Sequence, residues 1–325
     1  MSKIRFISPS TFAFFKEGRA SGYKSLANLL HGYIYARWTY LYIALATGRH
    51  PLSKRLAPLL LRLEKLFIRP SSNADSVTKI KIEDTYHGKV VPLQAARELV
   101  TVREDISLPD LEKVIPYAMA RDIILKNPDH IAVLDCPCRA AREHPCLPLD
   151  VCLVVGEPFA SFVVDHSPDR ARFITPEKAG EIIKAEDERG HVHHAFFKDA
   201  MLGRFYAICN CCSCCCGAMH AQSHGTPMLA SSGYIAQVDE TACSACGTCE
   251  GLCQFSAIHM DGFAVVEANA CMGCGVCVNN CPSQAISLKR AESRGEPLEI
   301  RSLIREFENG QRARLEQELQ HPYVG

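Results

Sequence analysis

Eighteen cysteines occur in this 325-residue chain, and eight of them fall into a repeated pattern. The run C-x2-C-x2-C-x3-C appears at Cys243, Cys246, Cys249 and Cys253, and again at Cys271, Cys274, Cys277 and Cys281. The neighbours repeat too: Val238 with Val266, and Ala257-Ile258 with Ala285-Ile286. An iron–sulfur cubane has four iron corners, and each takes one thiolate. Thiolates at i, i+3 and i+6 wrap one face of such a cluster, provided the loop is small. Gly247, Gly273 and Gly275 keep it small and let backbone N–H groups reach the sulfurs. The fourth cysteine of each run cannot curl back onto the same cluster. Zinc sites favour paired C-x2-C knuckles with a long spacer, which two tandem runs do not match.

Residues 239–288 resemble the bacterial two-cluster ferredoxins, and both copies of the motif are complete. In that family the fourth cysteine of each run ligates the other cluster. The resemblance therefore implies two [4Fe–4S] clusters, one on Cys243, Cys246, Cys249 and Cys281, the other on Cys271, Cys274, Cys277 and Cys253. It also implies a short βαβ-like repeat about a pseudo-twofold axis, with two low-potential one-electron carriers close enough to exchange electrons. The family usually has Pro after the fourth cysteine. Pro282 matches, whereas Gln254 departs from the pattern without removing a ligand.

Ten further cysteines lie upstream: Cys136, Cys138, Cys146 and Cys152, then Cys209, Cys211, Cys212, Cys214, Cys215 and Cys216. Six thiols within eight residues are too crowded for core positions, and adjacent cysteines do not pair easily as disulfides. Metal ligation is the expectation, as one or two additional iron–sulfur clusters. Two cubanes with two thiols left over, and one larger or non-cubane cluster, both fit the count. A site mixing ligands from the two groups is as open as one site per group. Zinc or a thiol redox switch is the alternative for the second group. The C-P-C-R and N-C-C-x-C-C-C segments resemble a group of anaerobe 4Fe–4S binding proteins with a C-terminal ferredoxin module, a resemblance covering much of residues 80–290. Arg139 reads either as a charge stabilising a reduced cluster or as a surface charge. His191, His193 and His194 read as a solvated loop, with cluster ligation or proton donation as the other reading.

The elements that position these residues give an α+β class. Residues 1–78 read as a basic, amphipathic helical segment, 79–235 as a cysteine-rich α+β domain, 236–290 as the ferredoxin module and 291–325 as a charged C-terminal helix. In the second part, Asp110–Lys126 reads as a helix and Ile131–Leu134 as a buried strand. Val151–Val164 reads as a hairpin about Gly156 and Pro158. Thr175-Pro176 is a helix start and Gly190 its stop. In the terminal helix Leu303, Ile304 and Phe307 share the apolar side.

Formal net charge is zero, which argues against a nucleic-acid partner, but residues 1–70 hold twelve Lys/Arg and two Asp/Glu. That segment, with its Trp38–Ala46 and Leu56–Ile68 apolar stretches, either packs on the body or a partner subunit, or lies in the plane of a membrane surface. Neither stretch reaches the length of a spanning helix, and residues 71–78 read as a linker. Disulfide frameworks belong to short secreted chains, and the Met1–Lys16 stretch lacks the pattern of a signal peptide. A cytoplasmic protein is expected, with the cytoplasmic face of the inner membrane as the peripheral alternative.

Three functions fit these residues. The first is an electron-transfer protein or subunit serving a redox partner: a ferredoxin, a flavoprotein or a partner enzyme. The second is a reductase with a catalytic cluster in the upstream domain, fed by the module; its catalytic residues are not legible. The third is a redox-sensing thiol switch. No G-x-G-x-x-G or Walker motif is present, so a two-electron carrier is expected on the partner.

Overall fold

In the computed structural model, residues 8–20, 26–53 and 82–320 are described. The Leu56–Ile68 stretch and the 71–78 linker lie outside them. The class is α+β.

The centre is a mixed sheet. Its strands are β1 (Tyr86–Val90), β2 (Ile106–Leu108), β3 (Ile123–Asp135), β4 (Asp150–Glu157), β5 (Ala171–Ile174), β6 (Val192–Lys198), β7 (Arg204–Cys211) and β8 (Leu229–Ala230). The order is β2-β3-β4-β7-β6-β1-β8, with β5 also on β3. All pairs are antiparallel except β1 with β8. Alternation along the strands divides the core. Ala132, Leu134, Cys152, Val154 and Phe196 face one side. Ile131, Val133, Leu153, Val155 and Phe197 face the other.

The first face is covered by α1 (Pro9–Ala20), α2 (Leu26–Arg37), α3 (Thr39–Ala46) and α7 (Phe159–His166), the last following the short α4 (Ile82–Thr85), α5 (Leu93–Leu99) and α6 (Pro137–Ala140) in the chain. Phe14, Leu29, Tyr35, Ala36 and Ile43 are buried there. A fully buried side chain of that size contributes about 1.5–3 kcal/mol, so these three helices are part of the core rather than a detachable tether. Among the described residues no helix is long and apolar enough to cross a membrane.

The second face carries α5, α8 (Pro176–Glu188) and the start of the terminal helix α12 (Ile300–Gln320), after α9 (Gly217–Ser223), α10 (Thr248–Leu252) and α11 (Val276–Asn279). Leu298 and Ile300 are buried, and Leu303 and Ile304 pack beside them, while Phe307 is exposed. Helix α8 starts as its sequence requires: Thr175 Oγ1 accepts from Lys178 N at 3.2 Å, and Pro176 occupies the first turn. Gly190, at φ +82°, ends it.

Two elements differ from their sequence reading. Asp110–Lys126 is not a helix: it turns through Asp110 and Ala120, both at positive φ, and enters β3 at Ile123. Pro116 interrupts any helical ladder there. The Val151–Val164 hairpin is β4 followed by α7, because the turn at Gly156 and Pro158 delivers Phe159, Phe162 and Val163 with helical spacing to the first face.

The repeat module pairs β9 (Tyr234–Val238) with β12 (Ile286–Arg290), and β10 (Ile258–Asp261) with β11 (Phe263–Val266), all antiparallel. Ala257, Ile258, Ala285 and Ile286, the repeated apolar pairs, fill its small core.

Candidate metal centres

The module gathers its eight thiols in two sets. A surface cavity is lined by Cys243, Cys246, Cys249 and Cys281, so the last cysteine of the second run joins the first three of the first. Cys246 is exposed. Cys271, Cys274 and Cys277 lie with Cys253. Burial, then the charges of Cys271, Cys253 and Cys249, pushes the Cys277 thiol up to about 12, and burial with Cys277, Cys253 and Cys271 moves Cys274 upward as well. This inner set faces the sheet: Met272 and Val276 are buried in its first-face core and Cys274 packs against it.

The local geometry repeats with the sequence. Gly247 and Gly275 precede α10 and α11 at φ +75° and +84°. Ala257 N donates to Cys253 Sγ at 3.2 Å and Ala285 N to Cys281 Sγ at 3.3 Å. A Cβ on Gly273 would run into Tyr234 O and Ser232 Oγ, so the loop of the inner set lies directly on β9. Convergent thiols, N–H donors to sulfur and tight glycine loops fit a thiolate-bound cluster in each set.

The ten upstream thiols mix the two sequence groups and separate differently. Cys136, Cys138, Cys152, Cys209, Cys211 and Cys216 stand beside one another in a ring, in the order 136–138–216–211–209–152, with Cys152 Sγ 3.9 Å from Cys209 Sγ. They come from the end of β3, from α6, β4 and β7, and from the start of α9, all at one end of the sheet. Cys138 and Cys209 lie opposite each other, each beside two neighbouring thiols. Hydrogen bonding from those neighbours holds both thiols below their ordinary value, Cys209 at about 7. Cys216, which gives its hydrogen toward Cys138, is pushed up to about 12. The ring bounds a cavity of about 70 Å³ shared with Tyr35, Tyr86 and Tyr206. Lys198 holds its ammonium 4.5 Å from the Tyr35 ring and 4.6 Å from Tyr86.

The other four, Cys146, Cys212, Cys214 and Cys215, have sulfurs all within 4.8 Å of one another. They sit at the rim of the ring, with Cys214 exposed.

With this geometry in view, a family model described as a 4Fe-4S binding domain matches residues 264–287, the stretch that holds all four cysteines of the second run. This is an iron–sulfur protein with a ferredoxin-type domain. No curated protein and no solved structure matches the chain.

Arg139 is not a surface charge. It is 1 % exposed and pairs with Glu186, also 1 % exposed, at 2.6 Å. It also donates to Pro148 O at 2.6 Å and Asn210 O at 3.1 Å, tying the loop before Cys152 to the strand of Cys209 and Cys211. Nor are the histidines solvated: His191, His193 and His194 are buried on or beside β6. His191 Nδ1 lies 2.7 Å from Glu186 Oε2. His193 Nδ1 lies 2.6 Å from Asn210 Oδ1, and its Nε2 is 3.5 Å from Asp187 Oδ1. Asp187 accepts from Asn279 Nδ2 at 3.1 and 3.0 Å, which joins α8 to the ferredoxin-type domain between Cys277 and Cys281. His194 lies cross-strand from Cys209 on the thiol face, fully buried, with neither ring nitrogen hydrogen-bonded. Burial, with His193 nearby, lowers its pKa to about 3, so it is neutral at pH 7. An orphaned donor on that face is what a sulfur-rich group in the ring would satisfy.

Sequence reasoning passed over Glu186, Asp187, Tyr35, Tyr86 and Tyr206. The acidic pair had a signal: Ala179, Ile183, Glu186 and Asp187 continue one buried helical face. Gln254, the departure from the family pattern, accepts from Ser213 N at 2.8 Å and Ser213 Oγ at 3.0 Å. It binds the ferredoxin-type domain to the loop between Cys212 and Cys214.

Proposed function

We infer that the chain is an electron-transfer protein or subunit. It relays single electrons through two [4Fe–4S] clusters in its ferredoxin-type domain, and through a further cluster on the six-thiol ring, to a partner oxidoreductase. Bound clusters of this type supply reversible one-electron chemistry. The observation that carries the reading is the graded depth of the thiols. Cys246 is exposed, Cys274 packs on the sheet, and the ring lies within the same core.

The outer set, Cys243, Cys246, Cys249 and Cys281, serves a docking partner such as a ferredoxin, a flavoprotein or a partner-enzyme subunit. The inner set, Cys271, Cys274, Cys277 and Cys253, spans the step to the sheet domain. In the ring, Arg139 and Arg49 offset thiolate charge, and the tyrosines exclude water. A reductase is the second reading, favoured by the cavity that Tyr35, Tyr86 and Tyr206 share with the thiols.

Anaerobic purification with iron and acid-labile sulfide analysis, followed by EPR of the reduced protein, tests the relay. More than about eight irons per chain, with three interacting signals, is expected. Eight irons alone would leave the ring thiols free and support a thiol switch. A signal altered by a small ligand would support the reductase.

A peripheral membrane contact is proposed for the outer side of α2 and α3, where Leu26, Leu30, Ile34, Trp38 and Leu41 are exposed on a basic segment. The protein should co-sediment with anionic vesicles, and the double change Leu30→Glu and Ile34→Glu should abolish this. Equal pelleting of the two proteins, or none of either, would remove the proposal.

A further inference from the structure

The geometry points to a single tetrahedral metal ion, bound by Cys146, Cys212, Cys214 and Cys215, in a site separate from any iron–sulfur cluster. Four thiolates on one ion of the zinc class, with metal–sulfur bonds of about 2.3 Å, stand roughly 3.8 Å apart. The Cys214–Cys215 sulfurs are 3.7 Å apart, Cys146–Cys214 are 3.2 Å apart, and all four lie within 4.8 Å. A cubane puts each thiolate on a different iron, outside the cluster, and so holds its ligands wider than this. The 3.2 Å contact is also far longer than a disulfide bond, about 2.05 Å.

The loop has the build of a metal knuckle. Cys212-x-x-Cys215 closes through Cys215 N to Cys212 O at 3.3 Å and Cys216 N to Cys212 O at 3.0 Å. Gln254 holds Ser213 at the tip. A thiophilic divalent ion with four thiolates carries net charge −2, and Arg142 stands beside it: its guanidinium donates to Cys214 O, while its buried Nε has no partner. Tetrahedral S4 donors select zinc or a single iron. Cys212 and Cys215 also line the cavity of the six-thiol ring, so the ion fastens the loop that covers the ring.

The wild-type protein, purified anaerobically, should carry one metal ion per chain that acid-labile sulfide does not match. Zinc appears directly in metal analysis; a lone iron appears as iron in excess of sulfide, with a high-spin ferric signal after mild oxidation. Cys146→Ser and Cys214→Ser should each lose that one ion while keeping the sulfide content and the reduced EPR signals of the ferredoxin-type domain. Iron equal to sulfide with no zinc in the wild type would overturn the site. So would joint loss of iron and sulfide in both variants with the ferredoxin-type signals intact, which would place these thiols on a cluster. The excess ion is read independently of the relay, because it does not depend on how many clusters the protein holds.

Discussion

Glu186→Ala is expected to destabilise the folded protein by about 3–5 kcal/mol, the cost of leaving one partner of a buried ion pair without its counter-charge. Arg139 and Glu186 are each 1 % exposed and 2.6 Å apart, so neither recovers water when the other is lost. The variant keeps the two carbonyl acceptors of Arg139 but not the carboxylate that also anchors His191 and Arg189. The loop before Cys152 and the strand of Cys209 and Cys211 then loosen together, and cluster retention should fall with stability. Urea midpoints measured anaerobically check this; a loss under about 1 kcal/mol would show that the pair is not the anchor. Burial alone would raise the Glu186 pKa, but the hydrogen bond from His191 and the charge of Arg139 outweigh it and hold the group below its ordinary 4.5. A depressed carboxyl pKa stabilises the native state fully above the unfolded value, and the contribution is lost as pH falls through the folded one. The gap between wild type and variant should therefore be widest near neutral pH and close below the ordinary carboxyl range.

Cys253→Ala should remove the cluster held by the second cysteine run, not the one held by its own run. About four irons per chain are expected to go. The signal tied to Cys243, Cys246 and Cys249 should stay. Cys253 stands among the charges that raise Cys274 and Cys277, whereas the outer cavity is closed by Cys281. Cys281→Ala should do the reverse. Integrated EPR of each variant, with iron counts, separates the two; if Cys253→Ala and Cys249→Ala abolish the same signal, the crossed ligation is wrong.

The ferredoxin-type domain was legible because its information is local. Three thiols of each set fall within seven residues, the glycines sit beside them, and the repeat displays the symmetry in one dimension. The α8 start was legible for the same reason, through Thr175 and Pro176. The upstream sites were not, because strand register decides them. Cys209 and Cys211 share a face since they lie two apart on β7, and Asn210 turns to the other face to meet His193. Cys152 joins the ring only because β4 pairs with both β3 and β7. Within the C-C-x-C-C-C string, Cys212, Cys214 and Cys215 go to one site and Cys216 to the other, a division that no spacing rule contains. The histidines misled because His191 to His194 reads as polar, while β6 crosses the middle of the sheet.

Gln254 joins two loops that each carry clustered thiols: Cys253 precedes it, and Ser213 lies between Cys212 and Cys214. Ordering one loop thus pre-orders part of the other. Whatever coupling free energy this gives is reciprocal, so filling the inner ferredoxin set raises the affinity of the thiol knuckle by the same factor that filling the knuckle raises the affinity of the inner set. With both sites loaded as proposed, their maturation is cooperative, and partly loaded chains are depleted in favour of empty and full ones.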